Sequence, residues 1–172
     1  IDVAKAVAAI VPTRPDAVIQ ISAYKSCAAF IREARKASYG GTFYNVSFVG
    51  TQALADELGS QGAGVVVSQV VPSPYNPARP VTRDFVADIK RADGAVLANY
   101  SSMEGYLAAR LFTEGMQHRP GGTFGRDSLI RGLESLGRYS MNGFDLTLSA
   151  NDHVASNFVE LSMLTGDGRV RT

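Results

Sequence analysis

The sequence predicts an α/β fold organised around a parallel β-sheet. Two short runs, 17–21 and 64–71, are almost wholly apolar, as strands buried on both faces must be. Between them lie segments whose apolar residues recur at helical spacing, and the connections are short. Strand and helix alternating through short loops is the pattern of parallel strands joined by right-handed crossovers.

Residues 2–11 predict a helix with Ala6, Val7, Ile10 and Val11 on one face, Asp2 as its N-cap and a stop at Val11-Pro12. After the turn at Pro15-Asp16 comes the first strand, 17–21. Residues 24–37 return to helical spacing, with Cys27, Phe30, Ile31 and Ala34 inward and Lys25, Arg32, Glu33, Arg35 and Lys36 outward, and Gly40-Gly41 ends the segment. A strand at 42–47, a short helix at 51–58 and a third strand at 64–71 follow. Pro72-Ser73-Pro74-Tyr75-Asn76-Pro77 holds three prolines in six residues and predicts a stiff, extended crossing segment.

Helices are predicted over 80–91, 101–117 and 126–136; Met103, Leu107, Leu111 and Met116 lie on or near one face of the second. A short strand is predicted at 95–97. After Gly137 the chain turns to β structure, with antiparallel strands at 144–148, 157–164 and 169–171 and turns at Ala150-Asn151-Asp152 and Gly166-Asp167-Gly168. Three amphipathic helices beside one short strand lack the sheet that would cover them. The chain also opens inside a helix pattern, without the basic start of a secretory signal. Both features predict a part of a larger protein.

Composition bounds the function. With 45% hydrophobic and 19% charged residues the chain is globular rather than disordered, and a net charge of +1 gives no electrostatic ground for a nucleic-acid or acidic-membrane partner. The single cysteine, Cys27, excludes an intrachain disulfide and a cysteine-based metal cluster, and its place in an apolar helix pattern marks it as a small buried hydrophobe. His118 and His153 have no ligand-like spacing. Gly59-Ser60-Gln61-Gly62-Ala63-Gly64 leads into a strand instead of from strand to helix, so it is a loop and not a phosphate cradle; Gly121-Gly122-Thr123-Phe124-Gly125 reads as an interhelical linker. Asp152-His153 has no nucleophile elbow to serve. The reading is a binding module with no cofactor, no metal and no catalytic residues.

Several segments, in this order and spacing, resemble the solute-binding proteins of branched-chain amino acid ABC importers and their amide- and aromatic-acid-binding relatives. They are Arg14-Pro15-Asp16-Ala17-Val18, Phe30-Ile31-Arg32-Glu33-Ala34-Arg35, Phe48-Val49-Gly50-Thr51, Val70-Val71-Pro72, Ser102-Met103-Glu104-Gly105-Tyr106 and Phe158-Val159-Glu160-Leu161. The resemblance implies a two-lobed type 1 periplasmic binding protein that closes on its ligand about a hinge. This chain would supply an incomplete parallel-sheet lobe with C-terminal antiparallel strands, plus a helical block from the other lobe. Residues 1–73 and 138–172 would form the second lobe, and 74–137 would cross back to the first. It further implies a periplasmic location with the signal peptide in a missing N-terminal part, a membrane permease as partner, and pairing with another copy or with the missing half.

In an open parallel sheet the ligand sits outside the C-terminal ends of the strands. That rule selects Ser22, Ala23 and Tyr24 after the first strand and Ser47 and Phe48 after the second. Tyr24 offers a flat wall and a phenol where the resemblance places an aromatic over the ligand; packing of the first helical turn accounts for it equally well. Ser47 and Phe48 read as a site edge or as a plain strand terminus, and Ser22 as a ligand donor or a helix N-cap. The resemblance also singles out Gln52, where an acid pairing the ligand's ammonium is expected. A neutral amide there points to an acid elsewhere, to a carboxylate, aromatic-acid or amide ligand, or to a surface glutamine on a short helix. Two rivals remain: a ligand-sensing domain of a receptor or regulator with the same fold, and an enzyme on a related α/β scaffold.

Overall fold

The computed structural model describes residues 1–92, 95–122 and 124–172. The chain divides into two compact units, residues 1–70 with 159–172 and residues 71–158.

The first unit is the sheet. Helix α1 (Ala4–Ile10) starts one residue later than Asp2 would cap it: Val3 holds the N-cap position, and Asp2 Oδ1 accepts the Ala4 amide at 2.9 Å. Then come β1 (Ala17–Gln20), α2 (Tyr24–Lys36), β2 (Thr42–Val46), α3 (Thr51–Leu58) and β3 (Val66–Gln69). Strands β1, β2 and β3 run parallel in that order, Ile19 opposite Tyr44 and Tyr44 opposite Val66. The sheet ends with β6 (Glu160–Leu164), antiparallel to β3, and β7 (Val170–Arg171), antiparallel to β6. The third strand is shorter than its apolar run because Gly64, at φ +80°, turns the chain just before it and the chain bends away at Val70 and Val71.

Period-two alternation gives each strand one face toward the helices. Phe43, Val65, Val67 and Leu164 join Cys27, Phe30, Ile31 and Ala34 of α2 and Leu54 and Leu58 of α3 in one core. Phe43 is its centre of aromatic contact, edge-on to Phe30 at 6.3 Å and to Tyr39 at 5.2 Å between ring centroids. Val3, Val7, Ile10 and Val11 of the first helical segment pack against the same core. The opposite face carries Ile19, Tyr44, Leu161 and Met163, all exposed.

The second unit is mainly helical: α4 (Pro80–Arg91), α5 (Tyr100–Gln117) and α6 (Arg126–Ser135), with a hairpin of β4 (Arg138–Ser140) and β5 (Asp145–Thr147). Asn99 caps α5 through a reciprocal box with Ser102. Helix α4 is held to α5 by Phe85 against Tyr106, by the Tyr106 hydroxyl donating to Asp88 Oδ2 at 2.9 Å, and by Arg110 on Asp84 at 3.3 Å. Burial raises the Tyr106 phenol above its usual range, and the Asp88 carboxylate adds to the shift.

Three expectations are corrected here. Residues 95–97 form no strand. The proline-rich segment is extended only at its start and then folds into turns, because Ser73 and Asn76 accept backbone amides: Asn76 N–H to the Ser73 carbonyl at 3.4 Å and Ala78 N–H to Asn76 Oδ1 at 3.0 Å. Residues 138–158, grouped by sequence with the sheet, pack in the helical unit. Met141, Phe144, Leu146 and Leu148 of the hairpin are buried, and Asn142 Nδ2 donates to Asp84 of α4 at 2.6 Å.

Candidate ligand-binding site

Parallel pairing puts the C-terminal ends of β1 and β2 side by side, since Gln20 lies opposite Asn45. The chain leaves β1 through residues 21–23 into α2, and leaves β2 through a 3-10 turn, Ser47–Val49, into α3. Both turns therefore lie at one edge of the sheet, where the amino ends of α2 and α3 also begin. Neither helix is capped by a side chain: Ala23 and Gly50 occupy the N-cap positions. Helix amino ends present free backbone donors and a partial positive charge at such an edge.

The turns distribute their side chains by burial. Val49 is 2% exposed and anchors the second turn in the core, whereas Phe48 is 64% exposed and faces away from it. Ser47 is half-buried between them, and Gly50 at φ +77° makes the left-handed step into α3. Tyr24, the first residue of α2, is half-buried and packs against the core cluster, with Lys25 Nζ 5.9 Å from its ring centroid. Ser22 is half-buried and Ala23 exposed; the Ser22 carbonyl accepts the Cys27 thiol at 3.4 Å. Ser22 is thus not the N-cap that its position suggested.

Gln52 does not lie in the loop. It is in the first turn of α3, where Nε2 donates to Asp56 Oδ1 at 2.8 Å and to the Gly168 carbonyl at 3.5 Å. Five of the six sequence-selected residues therefore gather at two neighbouring strand ends, and Gln52 is engaged along its own helix and toward the β6–β7 turn. Sequence reasoning passed over the amides inside the strand ends, Gln20, Asn45 and Gln69, because each sits in a segment that scans as apolar. The signal for them was there: a carboxamide at or near the last position of each parallel strand.

The reactive residue types have other occupations. Burial raises the Cys27 thiol pKa, with the Ser22 carbonyl contact working against it. Cys27 is 1% exposed, so an aromatic disulfide reagent should label it only as the protein unfolds; labelling of the native protein at the rate of a free thiol would contradict this placement. His153 Nε2 lies 3.0 Å from Glu134 Oε1 on the surface of the helical unit. Among the described residues no group of three or more His, Cys, Asp or Glu side chains could hold a metal ion. No helix among them is long and apolar enough to cross a membrane.

A family model described as periplasmic binding protein matches residues 1–169. No curated protein matches the sequence. Among solved structures, a possible leucine/isoleucine/valine-binding protein from Rhodopirellula baltica SH 1 is 32% identical, with a TM-score of 0.82 over 91% of this chain and 42% of that one. An extracellular ligand-binding receptor from Verminephrobacter eiseniae ef01-2 is 26% identical, with a TM-score of 0.83 over 99% of this chain and 49% of that one. A solute-binding protein of an ABC transporter from R. palustris, solved with benzoate, shares the fold at 21% identity, with a TM-score of 0.73 over 97% of this chain and 45% of that one. The chain spans less than half the length of each of these proteins. With its parallel sheet, its strand-end turns and a family match over nearly every residue, the chain belongs to the periplasmic binding protein family.

Proposed function

We propose that this chain is part of the extracytoplasmic solute-binding component of an ABC importer, and that it binds an amino acid or a related small carboxylate or amide without transforming it. The observation that carries the reading is the pair of strand-end turns brought together by the Gln20–Asn45 register, one of which presents Phe48 outward. Hydroxyl groups at Ser22 and Ser47, a phenol at Tyr24 and uncapped helix amides suit a polar head group held by neutral hydrogen bonds. Phe48 suits an apolar or aromatic body. The sheet unit would be the second lobe of the binding protein, and the helical unit would contribute to the first. Closure follows binding only if the ligand favours the closed state, which a membrane permease would then recognise. A signal peptide is expected in the full gene product.

The neutral side chains at these turns favour a ligand whose recognised group is a carboxylate or amide. A thermal-shift screen of the full gene product against amino acids, amides and aromatic acids tests this. One class should stabilise the protein, by about 2.7 kcal/mol at a hundredfold excess over Kd. Phe48→Ala should weaken that compound at least tenfold while leaving the unliganded melting point in place, since exposed substitutions change stability by only about 0.5 kcal/mol. A protein that no class stabilises would sink the reading.

A further inference from the structure

Three carboxamide side chains lie at the ends of the three parallel strands: Gln20 in β1, Asn45 in β2 and Gln69 in β3. Alternation turns Asn45 to the same face as Phe43, and Gln69 to the same face as Val67, so both lie on the helix-covered side. Gln20 is opposite Asn45, and Gln69 is two residues beyond Val67, the partner of Asn45 on the other side. The outer two are tied to helices. Gln20 Nε2 donates to the Cys27 carbonyl in the first turn of α2 at 3.4 Å. Gln69 Nε2 donates to Thr51 Oγ1, at the start of α3, at 2.9 Å, and to Ser162 Oγ at 2.7 Å.

The middle amide is different. Asn45 is 2% exposed, and neither its Oδ1 nor its Nδ2 has a partner in the protein; Gln20 Oε1 and Gln69 Oε1 are buried without one too. A buried polar group left unpaired forfeits its hydrogen bonds to water, and an apolar residue would suit the strand at no such cost. Three of these atoms accept and one donates, a mixture that water can satisfy because it does both. Buried waters sit at such places and make about three hydrogen bonds each. Asn45 also lies two residues before the turn that carries Phe48, whose other anchor is the buried Val49.

We propose that Asn45 is a positioning residue for the strand-end site: its carboxamide holds ordered water between the first turns of α2 and α3, and this hydrated layer fixes the Ser47–Val49 turn in its ligand-binding form. The link to binding rests on the function proposed above; the water site does not. Near-burial of Asn45 also removes it from consideration as the glycosylation acceptor that Asn45-Val46-Ser47 spells.

The test uses the full gene product, with leucine and benzoate as probes. Asn45→Leu keeps the branched shape, fills the water's space with its bulkier methyl groups and deletes both unpaired atoms. It should melt at or above the parent temperature and bind whichever probe the parent binds at least tenfold more weakly. Asn45→Ser leaves room for water and a hydroxyl to hold it, and should bind within threefold of the parent; it keeps the comparison open if the leucine variant does not fold. An Asn45→Leu affinity within twofold of the parent, or a tenfold loss in Asn45→Ser, would overturn the positioning role. The water is read separately, as nuclear cross-relaxation between bound water and the Asn45 side-chain amide protons. That signal is expected in the parent with or without a probe, and its absence overturns the proposal. A parent that shows the signal but binds neither probe retains the water site and overturns its link to these ligands.

Discussion

Expressed alone, residues 1–172 will sediment as a dimer or larger species, not as an 18.3 kDa monomer. The reason lies in the uncovered side of the sheet. Helices α2 and α3 bury one face, but the other carries Ile19 at 72%, Met163 at 50% and Leu161 at 58% exposure, with Tyr44 at 37%. Strand register aligns Ile19, Tyr44, Val66 and Met163 in one row across β1, β2, β3 and β6; Val66 is itself buried, and the exposed side chains flank it on both sides. Strand β1 is also an edge strand, with one row of backbone groups unpaired by any strand. Contiguous apolar surface and an open edge are what drive association, at about 25 cal/mol for each Å² removed from water. Sedimentation velocity of the chain, and of an Ile19→Lys, Met163→Glu pair that breaks the row, checks this. The pair should move the distribution toward monomer; a monodisperse monomer of the unaltered chain would contradict the expectation.

Where a segment has a strong helical period and clear ends, the expected and observed limits coincide: α3 at 51–58 and α4 at 80–91, and α2 within one residue. The β elements of the second unit were harder. β4 is Arg-Tyr-Ser, with neither apolar alternation nor a β-branched residue, and its pairing with β5 arises from the tight turn at Met141, Asn142 and Gly143, where Asn142 and Gly143 take φ of +50° and +87°. The strand expected at 95–97 had apolar residues but no partner strand, and hydrophobicity without pairing makes no strand. For the candidate site, the strand-end rule selects Ser22, Ala23, Tyr24, Ser47 and Phe48 because it depends only on where parallel strands stop. It could not reach Asn45 or Gln69. Their importance comes from what surrounds their amides, and burial is set by the register of neighbouring strands, not by the local sequence.

Gly132→Ala should destabilise the helical unit by about 3 kcal/mol, although local helix propensity favours alanine over glycine by about 1 kcal/mol. Helices α5 and α6 cross at two buried glycines, Gly115 and Gly132. A Cβ on Gly132 would overlap the carbonyl oxygen of Gly115 and crowd the Arg119 amide nitrogen, both backbone atoms that no rotamer change can move. At Gly115 the obstacle is the Leu133 side chain, which can partly yield, so Gly115→Ala should cost less. Gly105 lies on the exposed side of α5, and a Cβ added there would meet nothing within 4 Å. Gly105→Ala should therefore stabilise the protein by up to about 1 kcal/mol. Urea unfolding of the three variants separates packing from propensity, because propensity alone predicts the same sign for all three. A Gly132→Ala midpoint at or above the parent would mean that the helices do not approach as closely as their glycines allow; opposite shifts for Gly132→Ala and Gly105→Ala would show that backbone contact, and not helix preference, selects glycine at the crossing.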